Sequence, residues 1–149
     1  MREIEVSMLT DVIEKLCIEA NEHLPSDVKE AIKRCRACED GEIAKGVLDN
    51  IIENFDIADQ ENVPICQDTG MAVIFLEIGQ EVFLKGEPLE AAVNRGTAQA
   101  YDEGYLRKSV VKDPVRRGNT GDNTPAMIYT EIVPGEQVKI TVGPKGFGS

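Results

Sequence analysis

No apolar run in this sequence approaches the roughly 20 residues that span a bilayer, and the opening MREIEVSMLT lacks the apolar core of a signal peptide. A membrane protein or a secreted one is therefore not expected, and the expected location is the cytoplasm. Basic residues are scarce: 16 Lys and Arg stand against 27 Asp and Glu, a formal charge of −11. Such a surface repels a phosphate backbone, so nucleic acid is not an expected partner. Internal repeats and low-complexity segments are also missing. Cysteine is limited to Cys17, Cys35, Cys38 and Cys66, and histidine to His23. In a reducing compartment those thiols are core residues, metal ligands or catalytic thiolates rather than disulfides.

What remains has the balance of one soluble globular chain, with 42% apolar and 29% charged residues over 149 positions. A chain of this length buries roughly 70% of its unfolded surface, so neither a metal nor a disulfide is needed for stability. A metal, if bound, is functional.

Charge and pattern divide the sequence near residue 62. Residues 1–62 hold 7 basic and 16 acidic side chains, against 9 and 11 in residues 63–149. The first region reads as helical. Ile4, Met8, Val12, Leu16 and Ala20, with Leu9, Ile13 and Cys17 beside them, make one apolar helix side that ends near Leu24. Ser26 is placed to cap a second helix carrying Val28, Ile32, Cys35 and Cys38, which Gly41 ends. Ile43, Val47, Ile51 and Phe55, flanked by Leu48 and Ile52, predict a third, with DIADQEN leading out.

From Val63 the pattern is of short strands separated by Gly, Pro and Asn. MAVIFLEI is apolar on both faces and predicts a central, covered strand. EVFLKG follows. Pro88 then opens a helix to about Asp102, with Leu89, Ala92, Val93 and Ala100 inward and Gly104 closing it. SVV predicts a short strand, and MIYTEIV, PGEQ and VKITV an antiparallel hairpin. The expected architecture is mixed α/β: a helical N-terminal bundle over residues 1–62, then a mixed sheet with flanking helices over 63–149.

Two stretches carry chemistry. Pro64 to Gly70, PICQDTG, holds a thiol, an amide and a carboxylate on a tight turn. A thiolate suits soft iron or zinc, and an adjacent carboxylate moves protons. The same residues also suit a buried cysteine and a turn-forming aspartate. The second stretch runs from Tyr105 to Ala126 and concentrates Arg107, Lys108, Lys112, Arg116 and Arg117 near Asp113. The planar fork of arginine grips a carboxylate, so the strip suits an anionic substrate, or else is a solvated basic edge with a long turn.

CQDTG at 66–70, LRKSVVKDP at 106–114, NTGDNTPA at 119–126 and the terminal PKGFGS together resemble the alpha subunit, or N-terminal region, of class I iron–sulfur fumarate hydratases and L-tartrate dehydratases. The resemblance runs from the helical start to Ser149. It implies a hydro-lyase that interconverts fumarate and (S)-malate with a four-iron, four-sulfur (4Fe–4S) cluster held by three cysteines, one iron staying open to substrate. By position, Cys66 matches the first cluster ligand. Gln67 and Asp68 match substrate-contacting residues, Asp68 being the candidate for proton transfer. Arg107 matches the substrate-binding arginine, and Gly146 to Gly148 the substrate-contacting glycine loop.

Two departures stand beside the match. Phe147 occupies a position that is small in the family. The family's alpha subunit also continues about as far again and carries the other two cluster cysteines, so this chain reads as truncated and inactive by itself.

The implied partners are a beta subunit or C-terminal region, a small dicarboxylate and further copies in an oligomer. The alternatives are an L-tartrate dehydratase alpha subunit and a non-catalytic subunit or assembly module. Cys35 and Cys38 form a CxxC that reads either as two core thiols or as half of a zinc site needing two ligands more from His23, Cys17 and Cys66. His23, before Pro25, is expected to cap a helix C-terminus.

Overall fold

The structure is a computed structural model, and it describes residues 1–148. The chain forms two compact units, one of Met1–Ala20 with the residues from Gln67 onward, the other Asn21–Cys66.

In the larger unit β1 (Arg2–Glu5) pairs in parallel with β3 (Val82–Lys85). The sequence pattern at Ile4 predicts helix, yet the chain stays extended until α1 (Val6–Glu22), because β3 supplies ladder partners for residues 2 to 5. The buried side of α1 is Leu9, Ile13 and Cys17; Met8 and Val12, expected inward, are exposed. The latter two rim a small groove with Leu16, Val138 and Ile140.

β2 (Met71–Gly79) is central, as its apolar content predicts, with β4 (Met127–Val133) parallel on one side and β5 (Val138–Lys145) antiparallel on the other. Only one of its faces is buried. Ala72, Ile74, Leu76 and Ile78 enter the core, whereas Phe75 stacks on Tyr129 in the open, ring centroids 5.2 Å apart. The expected β4–β5 hairpin is not formed, since β2 lies between the two strands. The connection Pro134–Gln137 instead passes over the end of β2, where Gly79 N–H donates to Gln137 O and Glu81 N–H to Gly135 O. A Cβ at Gly79 would lie 2.2 Å from Gly135 O, so only glycine admits this crossing. The most apolar strand takes the middle position, with a neighbour on each side, and that outweighs the local turn signal.

α4 (Leu89–Glu103) follows Pro88, which stands just before the helix as its N-cap. Ala92, Val93 and Ala100 are fully buried, as their spacing predicts. The core unites these α4 residues and the α1 face with β2, Tyr101, Leu106 and Ala126. SVV forms no strand; a single bridge, Val111 to Asn119, is what remains of it.

The smaller unit holds α2 (Ser26–Cys38) and α3 (Glu42–Glu61). Pro25, not Ser26, is the N-cap of α2, and its carbonyl accepts Val28 and Lys29 N–H. DIADQE is helical, and α3 ends at Asn62 in the left-handed conformation. Few side chains are enclosed. Phe55 and Ala58 are buried, with Lys29 and Lys33 over the Phe55 ring, while Ile43, Val47 and Ile51 are exposed. No residue of α2 is buried, so the core positions expected for Val28, Cys35 and Cys38 are not found. Two helices alone have too little facing surface to enclose both stripes.

Candidate functional site

Three segments of the larger unit build one cleft. The first is the turn Gln67–Gly70, leading into β2. Gly70 has φ +57, and a Cβ there would lie 1.8 Å from Lys145 O, so the turn and the end of β5 touch through backbone alone.

The second segment leaves α4 through Gly104, whose N–H caps Ala100 O, and Tyr105 at φ 51. From there to Val110 the chain is neither helix nor strand. Leu106 and Val110 point into the core at 4% and 6% exposure, and Arg107 between them points outward. The third segment is the loop after β5, where Gly148 N–H donates to Asp68 Oδ2 at 2.7 Å. Ser149, the end of the terminal motif, lies outside the described residues.

The cleft so formed has a volume of about 600 Å³ and is lined by Gln67, Asp68, Arg107, Lys108, Ser109, Asn119, Phe147 and Gly148. Its charges are unequal in availability. Lys108 Nζ is bound to Asp102 Oδ1 at 2.6 Å. The Arg107 guanidinium forms no hydrogen bond or ion pair with another described residue, and its charge acts on Asp68 without a direct bond. The Asp68 carboxyl is held below the usual aspartate range, first by the backbone N–H of Gly148, then by that of Phe147, with the charges of Arg107 and Lys145 adding. At neutral pH the cleft therefore holds a carboxylate, a free guanidinium and amide donors.

Residues that sequence reasoning passed over hold these walls in place. Tyr101, buried at the end of α4, donates its hydroxyl to Thr69 O at 2.8 Å. Thr69 Oγ1 in turn donates to Arg107 O at 3.0 Å. Asn123, fully buried at φ 61, donates to Gly70 O and accepts from Ser109 and Val110 N–H. The signal for Asn123 was present in the Asn- and Gly-rich NTGDN, because asparagine tolerates the left-handed region and bonds to backbone. Nothing local marks Thr69 or Tyr101.

Of the residues matched by motif, Gln67, Asp68, Arg107 and Gly148 line the cleft, and Gly146 lies in the same loop without lining it. Cys66, exposed, is the last residue of the smaller unit and directly precedes Gln67 in the chain. Cys35 and Cys38 are exposed on the last turn of α2. Burial pushes the Cys17 thiol up to about 12, which keeps it protonated and unfit as a ligand. His23 Nδ1 meets Asp59 Oδ1 at 2.8 Å, and Lys29 Nζ bonds the other oxygen; this side-chain bridge stands where a helix cap was expected.

Among the described residues no three His, Cys, Asp or Glu side chains are grouped to hold a metal ion. Cys66 fits a cluster as one thiol donor, not as a whole ligand set. None of the described helices is long and apolar enough to cross a membrane.

Residues 10–149 match the family model described as fumarate hydratase (Fumerase). A Methanocaldococcus jannaschii protein described as a candidate L(+)-tartrate dehydratase subunit alpha is 36% identical over 95% of this chain and 51% of its own length. The L(+)-tartrate dehydratase subunit alpha of Escherichia coli K12 is 27% identical over 96% of the chain and 48% of its own length. The aerobic class I fumarate hydratase of the same strain is 37% identical over 84% of the chain and 23% of its own length. The chain thus spans about half the length of the tartrate dehydratase subunits it matches. With nearly all of its residues inside the family model, this chain belongs to the fumarate hydratase family of hydro-lyases.

Proposed function

We propose that the cleft binds a small dicarboxylate, and that the chain is part of the alpha subunit of an iron–sulfur hydro-lyase interconverting fumarate and (S)-malate. The observation that carries this is the Arg107 guanidinium, unpaired among the described residues and sharing a cleft with the ionised Asp68 and the Gly148 backbone. Arg107 grips one substrate carboxylate with two hydrogen bonds. The Gln67 amide and the Gly146 to Gly148 loop orient the remainder. Asp68 is ionised and accepts the proton at the substrate carbon. The Gly148 amide holds this carboxylate by one oxygen, which fixes its direction while lowering its basicity.

Cys66 is one ligand of a 4Fe–4S cluster in this proposal, the others coming from the part of the relatives' length that this chain does not span. When bound, that cluster supplies a Lewis acid for the hydroxyl that enters or leaves. A beta subunit is the proposed partner, in keeping with the "subunit alpha" of the tartrate dehydratase names, and the proposed location is the cytoplasm.

The alternative reading makes the chain part of an L-tartrate dehydratase alpha subunit. The tartrate dehydratase subunits align with 95% and 96% of this chain, and the fumarate hydratase with 84%. The deciding experiment combines the chain with the polypeptides that complete its relatives' length and the beta subunit. The assembly is reconstituted without oxygen using iron and sulfide, then assayed with fumarate, malate and tartrate. Water addition or loss that vanishes in Arg107→Ala supports the proposal. A fully loaded assembly that leaves all three substrates unchanged overturns it.

A further inference from the structure

We infer that Asn123 is a positioning residue of the cleft, its carboxamide joining the turn that carries Asp68 to the segment that carries Arg107 and so setting where the guanidinium stands. The inference rests on the reading of the cleft as a dicarboxylate site.

Asn123 reaches both walls at once. Its Nδ2 donates to Gly70 O at 3.0 Å, two residues beyond Asp68. Its Oδ1 accepts from Ser109 N at 2.7 Å and Val110 N at 2.9 Å, two and three residues beyond Arg107. The side chain is 0% exposed, so water cannot replace any of these bonds when one is lost. Its φ of 61 costs a non-glycine residue conformational energy, and asparagine is among the few side chains that tolerate it. Strain of this kind persists where surrounding contacts hold it. Another direct bridge between these walls is Thr69 Oγ1 to Arg107 O. That bond fixes the arginine's backbone at one point and leaves its tilt open. The two amides that Asn123 holds fix the direction of the segment behind Arg107. A fork that grips a carboxylate through two bonds depends on that direction far more than a point charge does.

The test uses the whole 149-residue chain, titrated with fumarate, (S)-malate and L-tartrate while the Arg107 Nε–H and Gly148 amide resonances are followed by NMR. Asn123→Ala removes both attachments. Asn123→Asp keeps the acceptor for Ser109 and Val110 and sets a carboxylate oxygen against Gly70 O; it serves as the reading if the alanine variant does not fold. Thr97→Val is the stability control, since Thr97 is equally buried but bonds only within α4, to Val93 O.

The expected result is a dicarboxylate Kd weakened about tenfold or more in the Asn123 variants and unchanged in Thr97→Val. In an Arg107→Ala background, Asn123→Ala should add little, because it acts through the arginine. Folded Asn123 variants with Kd within twofold of wild type, or losses that simply add to that of Arg107→Ala, overturn the inference and leave the cleft reading standing. Failure of the unaltered chain to bind any of the three acids removes the cleft reading itself, and the inference with it.

Discussion

Gly70→Ala tests whether the cleft depends on backbone contact between the CQDTG turn and the end of β5. The added Cβ would lie 1.8 Å from Lys145 O, 2.3 Å from Lys145 C and 2.7 Å from Gly146 Cα. All three are backbone atoms, so no rotamer change relieves the overlap. The left-handed φ of +57 costs an alanine about 1 kcal/mol. Relief of the clash must then push Lys145 away from its partner Met71, with about two ladder hydrogen bonds lost at roughly 1 kcal/mol each. The expected loss is about 3 kcal/mol, or a urea midpoint lower by about 1.5 M.

The three tyrosines all lie in the larger unit and tryptophan is absent, so tyrosine fluorescence reports that unit. Gly46→Ala, in α3 with open space around the added atom, is the control. It should stabilise its helix by about 1 kcal/mol and leave the tyrosine transition in place. A Gly70→Ala midpoint within about 0.2 M of wild type would refute the reasoning.

In the assembled enzyme, Arg107→Lys keeps the charge and loses the fork, so it should raise KM severalfold with kcat little changed; steady-state kinetics decides. Asp68→Asn should lower kcat by about 10²-fold at equal cluster content, and near-normal turnover would take Asp68 out of the chemistry. Iodoacetamide at pH 8 followed by mass spectrometry should label Cys35, Cys38 and Cys66 in the native chain and spare Cys17, whose buried thiol is pushed up to about 12. Asp59 is held below the ordinary aspartate range by Lys29 and then His23. Its ionised form is favoured in the fold, so its contribution to stability is present above the ordinary value and lost as pH falls through the depressed one. Lys29→Met should move its NMR titration midpoint upward.

The elements with strong local periodicity were legible. The α4 pattern at Ala92, Val93 and Ala100 and the apolar run of β2 led to the right element and to the right place in it. What sequence could not show was decided by distant partners. Arg2–Glu5 is a strand because β3 lies alongside, and β4 and β5 part because β2 comes between them. Helical spacing likewise marks a stripe at Ile43, Val47 and Ile51 without showing whether anything covers it, and in this chain nothing described does. The cleft residues Gln67, Asp68, Arg107 and Gly148 were found by motif, being side chains or loops whose chemistry is their signature. The roles of Thr69 and Tyr101 were not, since a buried hydrogen bond between segments 32 positions apart leaves no local pattern, and NTGDN marked Asn123 as a loop residue without showing its partner Gly70, 53 positions away.

The distribution of charge gives the cleft a reach beyond its contacts. Half of the 16 basic side chains of this acidic chain are matched in place, among them Lys29 by Asp59, Arg36 by Asp49, Arg95 by Glu87, Lys108 by Asp102 and Lys139 by Glu77. Among the described residues Arg107, Lys112, Arg116 and Arg117 form no ion pair, and all four fall within eleven positions of the sequence. Asp113, the acid among them, is turned to its own loop, accepting from Val115 and Arg116 N–H. A dianion approaching a molecule of charge −11 is repelled over most of the surface and attracted along this strip. A Debye length of about 10 Å at 0.1 M salt sets the reach of this attraction. Capture of a dicarboxylate by this chain is therefore expected to slow as salt rises. Neutralising Arg116 and Arg117, which do not line the cleft, is expected to lower the rate of encounter and leave the geometry of the bound acid unchanged, as the salt dependence of the association rate would show.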